Sequence, residues 1–188
     1  MKTLRNSILL ITGVLQAQSV LKQFRFCVKL ILNQTVCLDV KTEKDYEEFL
    51  GLLNKNSVRY CIIGSHALAF HARPRYTKDI DILVEASLDN AERILSALDE
   101  FGFGSLNLRI EDFSSKGNII QLGYEPVRID IITSIEGLDF SDIWQNRVQG
   151  SYGNQIVNII NRLDLIKSKK ISNRIQDKAD LELLLPDE

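Results

Sequence analysis

Apolar and polar positions recur along this chain with two different periods, which predicts a mixture of helices and strands. The clearest helical period is formed by Tyr46, Phe49, Leu50 and Leu53, at positions i, i+3, i+4 and i+7. Compact apolar runs predict strands at residues 58–63, 77–84, 118–123, 127–133 and 155–160. Because helical segments separate these runs irregularly, the pattern predicts an α/β (α+β) fold with a mixed central sheet flanked by helices.

Further helices are predicted at residues 65–71, 87–100, 140–147, 162–171 and 174–185. Ser87 is suited to cap the second of these, because its hydroxyl can accept a free backbone N–H. Pro74 ends the helix before it, since proline disfavours a helical conformation in the preceding residue. The link at residues 124–126 is short enough to predict a hairpin. The last two segments are therefore predicted to be C-terminal helices of the domain.

Residues 1–41 are weakly periodic and short of turn residues, so we predict an N-terminal extension of unknown role before a domain at 42–188. Alternation at residues 24–30 suggests a strand. A basic start before apolar residues 8–11 faintly resembles a signal peptide, but Thr12, Gly13 and Gln16 interrupt the apolar stretch. No run approaches the roughly 18 apolar residues of a membrane helix. We therefore expect a cytoplasmic protein without a membrane partner.

Composition excludes few function classes. With 188 residues, 45% of them hydrophobic and 26% charged, the chain is typical of an ordinary globular domain. Its net charge of -2 argues against a surface coated with nucleic-acid-binding charge, and leaves a local basic patch open. Cys27, Cys37 and Cys61 lack metal-ligand spacing, which fits reduced cytosolic thiols.

Two acids interrupt the apolar strand at residues 77–84. Side chains alternate faces along a strand, so Asp79 and Asp81 share one face while Ile80 and Ile82 point to the core. Two carboxylates this close repel each other, and a divalent cation removes the conflict. Magnesium is a hard ion that takes carboxylate oxygens and keeps positions for water and phosphate. The pair therefore predicts a Mg²⁺ site, with Mn²⁺ as the alternative ion.

Asp130 is a lone acid in a strand of isoleucines. If this strand lies beside Asp79 and Asp81, three carboxylates can hold two metal ions and clamp an in-line phosphoryl displacement. Asp130 would then also help to deprotonate the attacking hydroxyl. In the alternative interpretation Asp130 merely forms an ion pair with Arg128 or Arg75.

Gly64 and Ser65 lie at a strand-to-helix junction, where free N–H groups and the positive end of the helix dipole favour an anion. We predict a triphosphate-binding turn here, although Ser65 is also suited to cap the helix. Arg75 and Lys78 precede the acids and are candidates to contact the triphosphate or a polynucleotide. The alternative is that they belong to a solvated loop without a binding role. His66 lies beside the turn, and we interpret it as a packing or hydrogen-bonding histidine.

Gly64 and Ser65, followed after thirteen residues by Asp79-Ile80-Asp81, resemble the signature of the DNA polymerase β-type nucleotidyltransferase superfamily. The stretch from Tyr46 through Leu184, roughly three quarters of the chain, resembles small bacterial and archaeal nucleotidyltransferases related to the AbiEii-type toxins. The resembling pieces include Glu48-Phe49-Leu50, Ile62 to Ala67, Arg73 to Asp81, Ile120 to Gly123, Arg128 to Asp130, Thr133 to Gly137, Leu165 to Lys169, Arg174, Asp177 and Asp180.

The resemblance implies a nucleotidyltransferase fold and a role for each matching residue. Asp79, Asp81 and Asp130 match the catalytic metal ligands for two Mg²⁺ ions, and Gly64 and Ser65 match the phosphate-binding turn. Lys169 falls in a C-terminal family pattern, and we assign it to nucleotide binding. The alternative is that the basic run around it is only a solvent-exposed surface. Asp177 and Asp180 are expected to pair with these cations, at low energetic value if exposed.

The implied function is metal-dependent transfer of a nucleoside monophosphate from a nucleoside triphosphate such as ATP to a hydroxyl of tRNA or protein. A toxin–antitoxin or phage-defence setting, with a cognate toxin or antitoxin as partner, follows from the same resemblance. The alternative is a non-catalytic nucleotide-binding or antitoxin module of the same fold. A small-molecule acceptor, as in antibiotic-modifying enzymes, is the third alternative.

Overall fold

The computed structural model describes residues 8–11, 26–29, 35–38 and 43–185. The strands within these ranges are β1 (Ile8–Ile11), β2 (Phe26–Lys29), β3 (Thr35–Leu38), β4 (Tyr60–Ile62), β5 (Asp79–Val84), β6 (Ile119–Tyr124), β7 (Val127–Ile132), β8 (Val148–Tyr152) and β9 (Gln155–Ile159). The helices are α1 (Lys44–Lys55), α2 (Gly64–His71), α3 (Leu88–Leu98), α4 (Ile110–Ser114), α5 (Phe140–Asn146), α6 (Arg162–Ser172) and α7 (Ile175–Leu184). The predicted α/β class, with C-terminal helices, is confirmed.

One mixed sheet organises the described part of the chain. Its seven strands lie in the order β1-β6-β7-β5-β4-β9-β8, and β2 and β3 form a separate antiparallel pair. The central strand β5 runs parallel to β7 and antiparallel to β4, while β6 and β7 form the predicted hairpin. The strand with two acids therefore has main-chain partners on both edges, one of which carries the third acid.

Helix α1 packs on the sheet through the face that its sequence period predicts. Tyr46, Phe49, Leu50 and Leu53 are all buried. Full burial of an aromatic or leucine side chain contributes about 1.5–3 kcal/mol each. The Tyr46 hydroxyl also donates hydrogen bonds to the carbonyls of Lys78, at 3.4 Å, and Arg128, at 3.1 Å. Helix α1 thus holds together the beginnings of the two acid-bearing strands.

Several predicted boundaries differ from the observed ones. The strand predicted at 58–63 is confined to Tyr60–Ile62, and the helix predicted at 87–100 ends as α3 at Leu98. Ser87 caps α3 as expected, its hydroxyl accepting from the N–H of Asn90. The chain continues in a turn of a different helical type at Asp99–Phe103. Gly102 in this turn has a φ of 96°, which no regular helix contains, so the helix does not extend further.

Four observed elements, β1, β3, β8 and α4, had no counterpart in the sequence prediction. Of the strand predicted at residues 24–30, the described part is β2, and the rest lies outside the described residues. The boundary predicted between residues 41 and 42 stays a prediction. Among the described helices, none has both the length and the apolar character needed to cross a membrane.

Candidate functional site

The first turn of α2, which begins at Gly64, lies directly against an acid of β5. Gly64 has a φ of 62°, and a Cβ atom added there would overlap the Asp81 carboxylate. Glycine is therefore required both by the backbone conformation and by the close approach. Ser65 follows it and is buried, and the first turn of α2 contains no acidic residue. The positive end of this helix is thus placed beside a carboxylate without a competing acid on the helix itself.

The acids of β5 lie on the face that strand alternation predicts. Ile80 and Ile82 are fully buried on one side, while Asp79 and Asp81 are half-buried on the other. The parallel register pairs Asp81 with Asp130 of β7, so the expectation that the third acid lies beside the first two is confirmed. These three residues, Asp79, Asp81 and Asp130, are called the carboxylate cluster below.

Arg128 bridges two members of the carboxylate cluster. Its Nη2 atom is 2.5 Å from Asp79 Oδ2, and its Nε atom is 2.8 Å from Asp130 Oδ1. Gln121 donates a further hydrogen bond of 3.3 Å to Asp130. The alternative pairing of Asp130 with Arg128 is therefore observed. Among the described residues, no three acid, histidine or cysteine side chains are arranged to hold a metal ion in this conformation.

Asp81 lacks such a counter-ion. It belongs to no ion pair formed by residues 43–185, and its pKa is raised to about 6. Burial is the main cause, followed by repulsion from Asp79 and Asp130, and attraction to Arg174 and Arg128 only partly opposes them. Three hard oxygen donor groups served by one cation fit the ligand chemistry of Mg²⁺ in donor type and in charge.

A second charged group joins α6 to α7. The Lys169 ammonium is buried and lies 2.6 Å from Asp180 and 3.2 Å from Asp177, which are buried too. Burial opposes ionisation of Asp177, but hydrogen bonds from Ser172, Arg174 and Lys169 outweigh it and lower its pKa to about 2. Lys169, Asp177 and Asp180 are called the lysine cluster below. The two acids therefore pair with basic residues as expected, and the low value expected for exposed pairs does not apply because both acids are buried.

The remaining candidates line a cleft of about 310 Å³ between these groups. Arg75 Nε is 3.2 Å from Asp180, which ties the loop before β5 to α7, and exposed Lys78 pairs with Glu125 at 2.5 Å. The cleft, called the first cleft below, is lined by Gly64, Ser65, Arg75, Tyr76, Thr77, Lys78, Asp79, Asp81, Lys169, Arg174, Gln176 and Asp177. Every nucleotide-binding candidate from the sequence lies here, whereas Asp130 lies beyond its lining.

Two cationic residues of the site, Arg128 and Arg174, were not assigned to it from the sequence. Arg128 shares a strand face with Asp130, two residues away, and this i, i+2 spacing was the available signal. Arg174 was visible only as part of a basic run, and it lies in the first cleft with an exposed side chain. The i, i+3 spacing to Asp177 was its signal, because such a pair meets on one helix face.

A second cleft, of about 410 Å³, adjoins the first one. It is lined by Glu43, Tyr46, Ser65, His66, Ala69, Pro74, Arg75, Tyr76, Thr77, Pro126 and Tyr152. The His66 ring packs edge-on against Tyr46 and Tyr152, with centroids 5.9 Å and 5.7 Å away. Burial lowers the pKa of His66 to about 4, so the ring is neutral at physiological pH. This is the packing histidine that the sequence suggested.

No family model and no curated protein match this chain. Solved structures that are similar to it include the solution structure of the antibiotic-resistance factor ANT(2'')-Ia, with 11% sequence identity and a TM-score of 0.49, covering 75% of this chain and 80% of that one. Another is the crystal structure of ANT(2'')-Ia in complex with adenylyl-2''-tobramycin, with 10% identity and a TM-score of 0.47, covering 74% and 84%. The relationship to AbiEii-type toxins stays a prediction.

Proposed function

We propose that this protein is a metal-dependent nucleotidyltransferase, which transfers a nucleoside monophosphate from a nucleoside triphosphate to a hydroxyl of tRNA or protein and releases pyrophosphate. The observation that carries the proposal is the position of Asp81. It contacts the Gly64 turn, lies two residues from Asp79 on the same strand face, and is in register with Asp130. A phosphate-binding turn in contact with an acidic cation site is the arrangement that phosphoryl transfer requires.

The chain's own residues would divide the work as follows. The Gly64–Ser65 turn would hold phosphate oxygens through backbone N–H groups and the Ser65 hydroxyl. Arg75, Lys78 and Arg174 line the first cleft and would neutralise the triphosphate. This wall would also orient the reacting phosphorus, and positioning of this kind accounts for much of the rate enhancement in such reactions.

The carboxylate cluster would hold two Mg²⁺ ions, with Mn²⁺ as a substitute. When bound, the metal supplies charge neutralisation at the phosphate and activation of the attacking hydroxyl. Asp130 would accept the proton of that hydroxyl. Arg128 would have to release Asp79 or Asp130 first, since its guanidinium now occupies their oxygen atoms. In this proposal the arginine keeps the acids compensated until the cation arrives.

The second candidate is a non-catalytic nucleotide-binding or antitoxin module. The ion pairs of Arg128 favour it, because a permanently bound guanidinium would leave too few free oxygens for metal. A toxin–antitoxin or phage-defence role, with a cognate toxin or antitoxin, is supported by the resemblance of the signature residues to AbiEii-type proteins. The two candidates share the first cleft and differ in metal-dependent turnover.

Substitution of the two β5 acids tests the proposal. Asp79→Asn and Asp81→Asn should each reduce the rate of Mg²⁺-dependent transfer of label from an α-labelled triphosphate by at least about a hundredfold. The reason is that a positioned negative charge is lost from the site. The exposed Asp142 on α5 provides a matched control, since Asp142→Asn makes the same change away from the cleft. Unchanged labelling in both β5 variants would refute catalysis by this cluster.

The acceptor is identified in the same assay. Each labelled triphosphate is incubated with the protein, Mg²⁺, and total RNA, total protein or an aminoglycoside. Label in RNA or protein supports the proposed acceptors, whereas label in the aminoglycoside alone replaces them with a small molecule. If the protein binds nucleotide but labels no acceptor and releases no labelled nucleoside monophosphate by hydrolysis, the non-catalytic module is favoured.

A further inference from the structure

The second cleft adjoins the candidate triphosphate site. Ser65, Arg75, Tyr76 and Thr77 line both clefts, so the loop before β5 forms a ridge between them. A molecule held by its phosphates at the Gly64 turn therefore has an adjoining space of about 410 Å³ for its non-phosphate part. That volume is within the range of clefts that hold small molecules, about 300–1,000 Å³.

The lining of the second cleft differs in chemistry from that of the first. Flat apolar surfaces dominate it, namely the rings of Tyr46, Tyr76 and Tyr152 and the two prolines Pro74 and Pro126. Tyr46 and Tyr152 are buried in its floor, whereas the Tyr76 side chain is 76% exposed on the shared ridge. An exposed aromatic ring beside a phosphate site is suited to stack on a planar ring, whatever the substituents of that ring.

One histidine nitrogen in this lining, His66 Nε2, is enclosed and has no hydrogen-bond partner among the described residues. Leaving such an atom unpaired costs free energy, and a ligand with a complementary polar edge would offset that cost only if the ring turned Nε2 toward the cleft. The second cleft thus combines flat apolar surfaces with polar side chains, namely Glu43, Ser65, His66, Arg75 and Thr77, and a heteroaromatic ring with a polar edge suits both.

We propose that the second cleft binds the nucleobase of the donor nucleotide, which stacks on Tyr76 while its triphosphate lies in the first cleft. This inference rests on the proposed function, because it assigns the phosphates to the Gly64 turn. A polynucleotide or protein acceptor needs a broader and more open surface than this cleft offers. The free nucleotide is small enough to occupy both clefts at once.

Binding of ATP compared with inorganic tripolyphosphate, each with Mg²⁺, tests the assignment by calorimetry. Tripolyphosphate has no base, so only ATP uses the second cleft. Tyr76→Ala should weaken ATP binding about tenfold and leave tripolyphosphate binding unchanged. Tyr76→Phe keeps the ring and should bind ATP as the wild type does. The exposed Tyr124 lines neither cleft, so Tyr124→Ala is the matched control and should bind both ligands normally.

The possible outcomes distinguish a failure of the base site from a failure of the proposed function. Equal affinity of the wild type for ATP and tripolyphosphate overturns the base site alone, and so does an equal loss of both ligands in Tyr76→Ala. Unchanged ATP binding in Tyr76→Ala, with a loss only of transfer to the acceptor, overturns it too and assigns the ridge to the acceptor. A wild type that binds neither ligand overturns the inference and the proposed function together.

Discussion

The carboxylate cluster and the lysine cluster both contribute to the first cleft, yet their charges are balanced in opposite ways. Three acids of the carboxylate cluster share one paired cation, Arg128, and Asp81 belongs to no ion pair of the described residues. In the lysine cluster two acids share Lys169 and also receive Arg75 and Arg174. The pKa of Asp81 is accordingly raised, while that of Asp177 is lowered.

This difference separates a site that is prepared for a ligand from one that supports the fold. A buried acid without a counter-ion costs stability, and such a cost is retained where a cation binds. A buried acid with several donors is already satisfied and holds helices in place. Lys169, which the sequence placed on the nucleotide side, has two of its three donor hydrogens directed at Asp177 and Asp180. Its main effect on the nucleotide is therefore expected to be indirect.

The largest expected effect comes from breaking the lysine cluster. Lys169→Met leaves Asp177 and Asp180 buried with fewer counter-ions and should lower the free energy of unfolding by about 3–5 kcal/mol. Urea denaturation followed by circular dichroism measures this loss. The adjacent Lys170 is exposed, so Lys170→Met should change the midpoint very little. Equal effects of the two substitutions would show that the cluster is not what joins α6 to α7.

A smaller effect of opposite sign is expected in the carboxylate cluster. Because the folded state raises the pKa of Asp81 from 3.8 to about 6, the folded protein binds more protons than the unfolded chain between these values. Stability from this group therefore falls as pH rises from about 4 to 6, and stays lower above. Asp81→Asn should remove the slope and add about 2–3 kcal/mol at pH 7 without divalent ions.

Urea denaturation at a series of pH values in EDTA measures this slope, with Asp142→Asn as the control. Added Mg²⁺ should stabilise the wild type and not Asp81→Asn, since only the wild type keeps the full ligand set. A slope that persists in Asp81→Asn would mean that another group titrates in this range. Stabilisation of both proteins by Mg²⁺ would place the cation elsewhere.

The smallest effect is expected at Arg174, the exposed residue that adjoins both clusters. Arg174→Gln removes an ion pair between an exposed guanidinium and buried Asp177, and because Lys169 still compensates that acid, the loss of stability should stay below about 1 kcal/mol. It should weaken tripolyphosphate binding about tenfold, which corresponds to one charged hydrogen bond of about 1.5 kcal/mol. Lys178→Gln is the matched control, because Lys178 is an exposed cation of α7 outside the first cleft. Equal affinity in the two variants would remove Arg174 from the nucleotide site.

The sequence predicted those parts of the site that depend on local periodicity. The alternation of Asp79 and Asp81 with two isoleucines gave both the strand and the face of its acids, and Gly64 gave the turn. The pairing of Arg128 with Asp130 on one strand was considered as an alternative, but the bridge from Arg128 to Asp79 was not predicted, because it depends on how β5 and β7 meet. Register between distant strands leaves no mark on either strand alone.

Long-range contacts account for the rest of what the sequence left open. Lys169 lies in a helix rich in charged residues, and nothing local distinguishes its buried side chain from its exposed neighbour Lys170. Strand β8 contains Gly150 and Ser151 in place of alternating apolar residues, so only its main-chain pairing with β9 reveals it. Such features become visible when distant segments are brought together.

The register between β5 and β7 also has a consequence for how this protein can change. Neighbouring strands lie about 4.8 Å apart whatever their side chains are, because main-chain hydrogen bonds set the distance. The separation of the Asp81 and Asp130 backbones is therefore inherited from the sheet and not from the residues packed beneath it. Substitutions among the isoleucines of these strands would change the stability of the fold. The spacing between the two acid-bearing backbones would stay the same as long as the sheet forms.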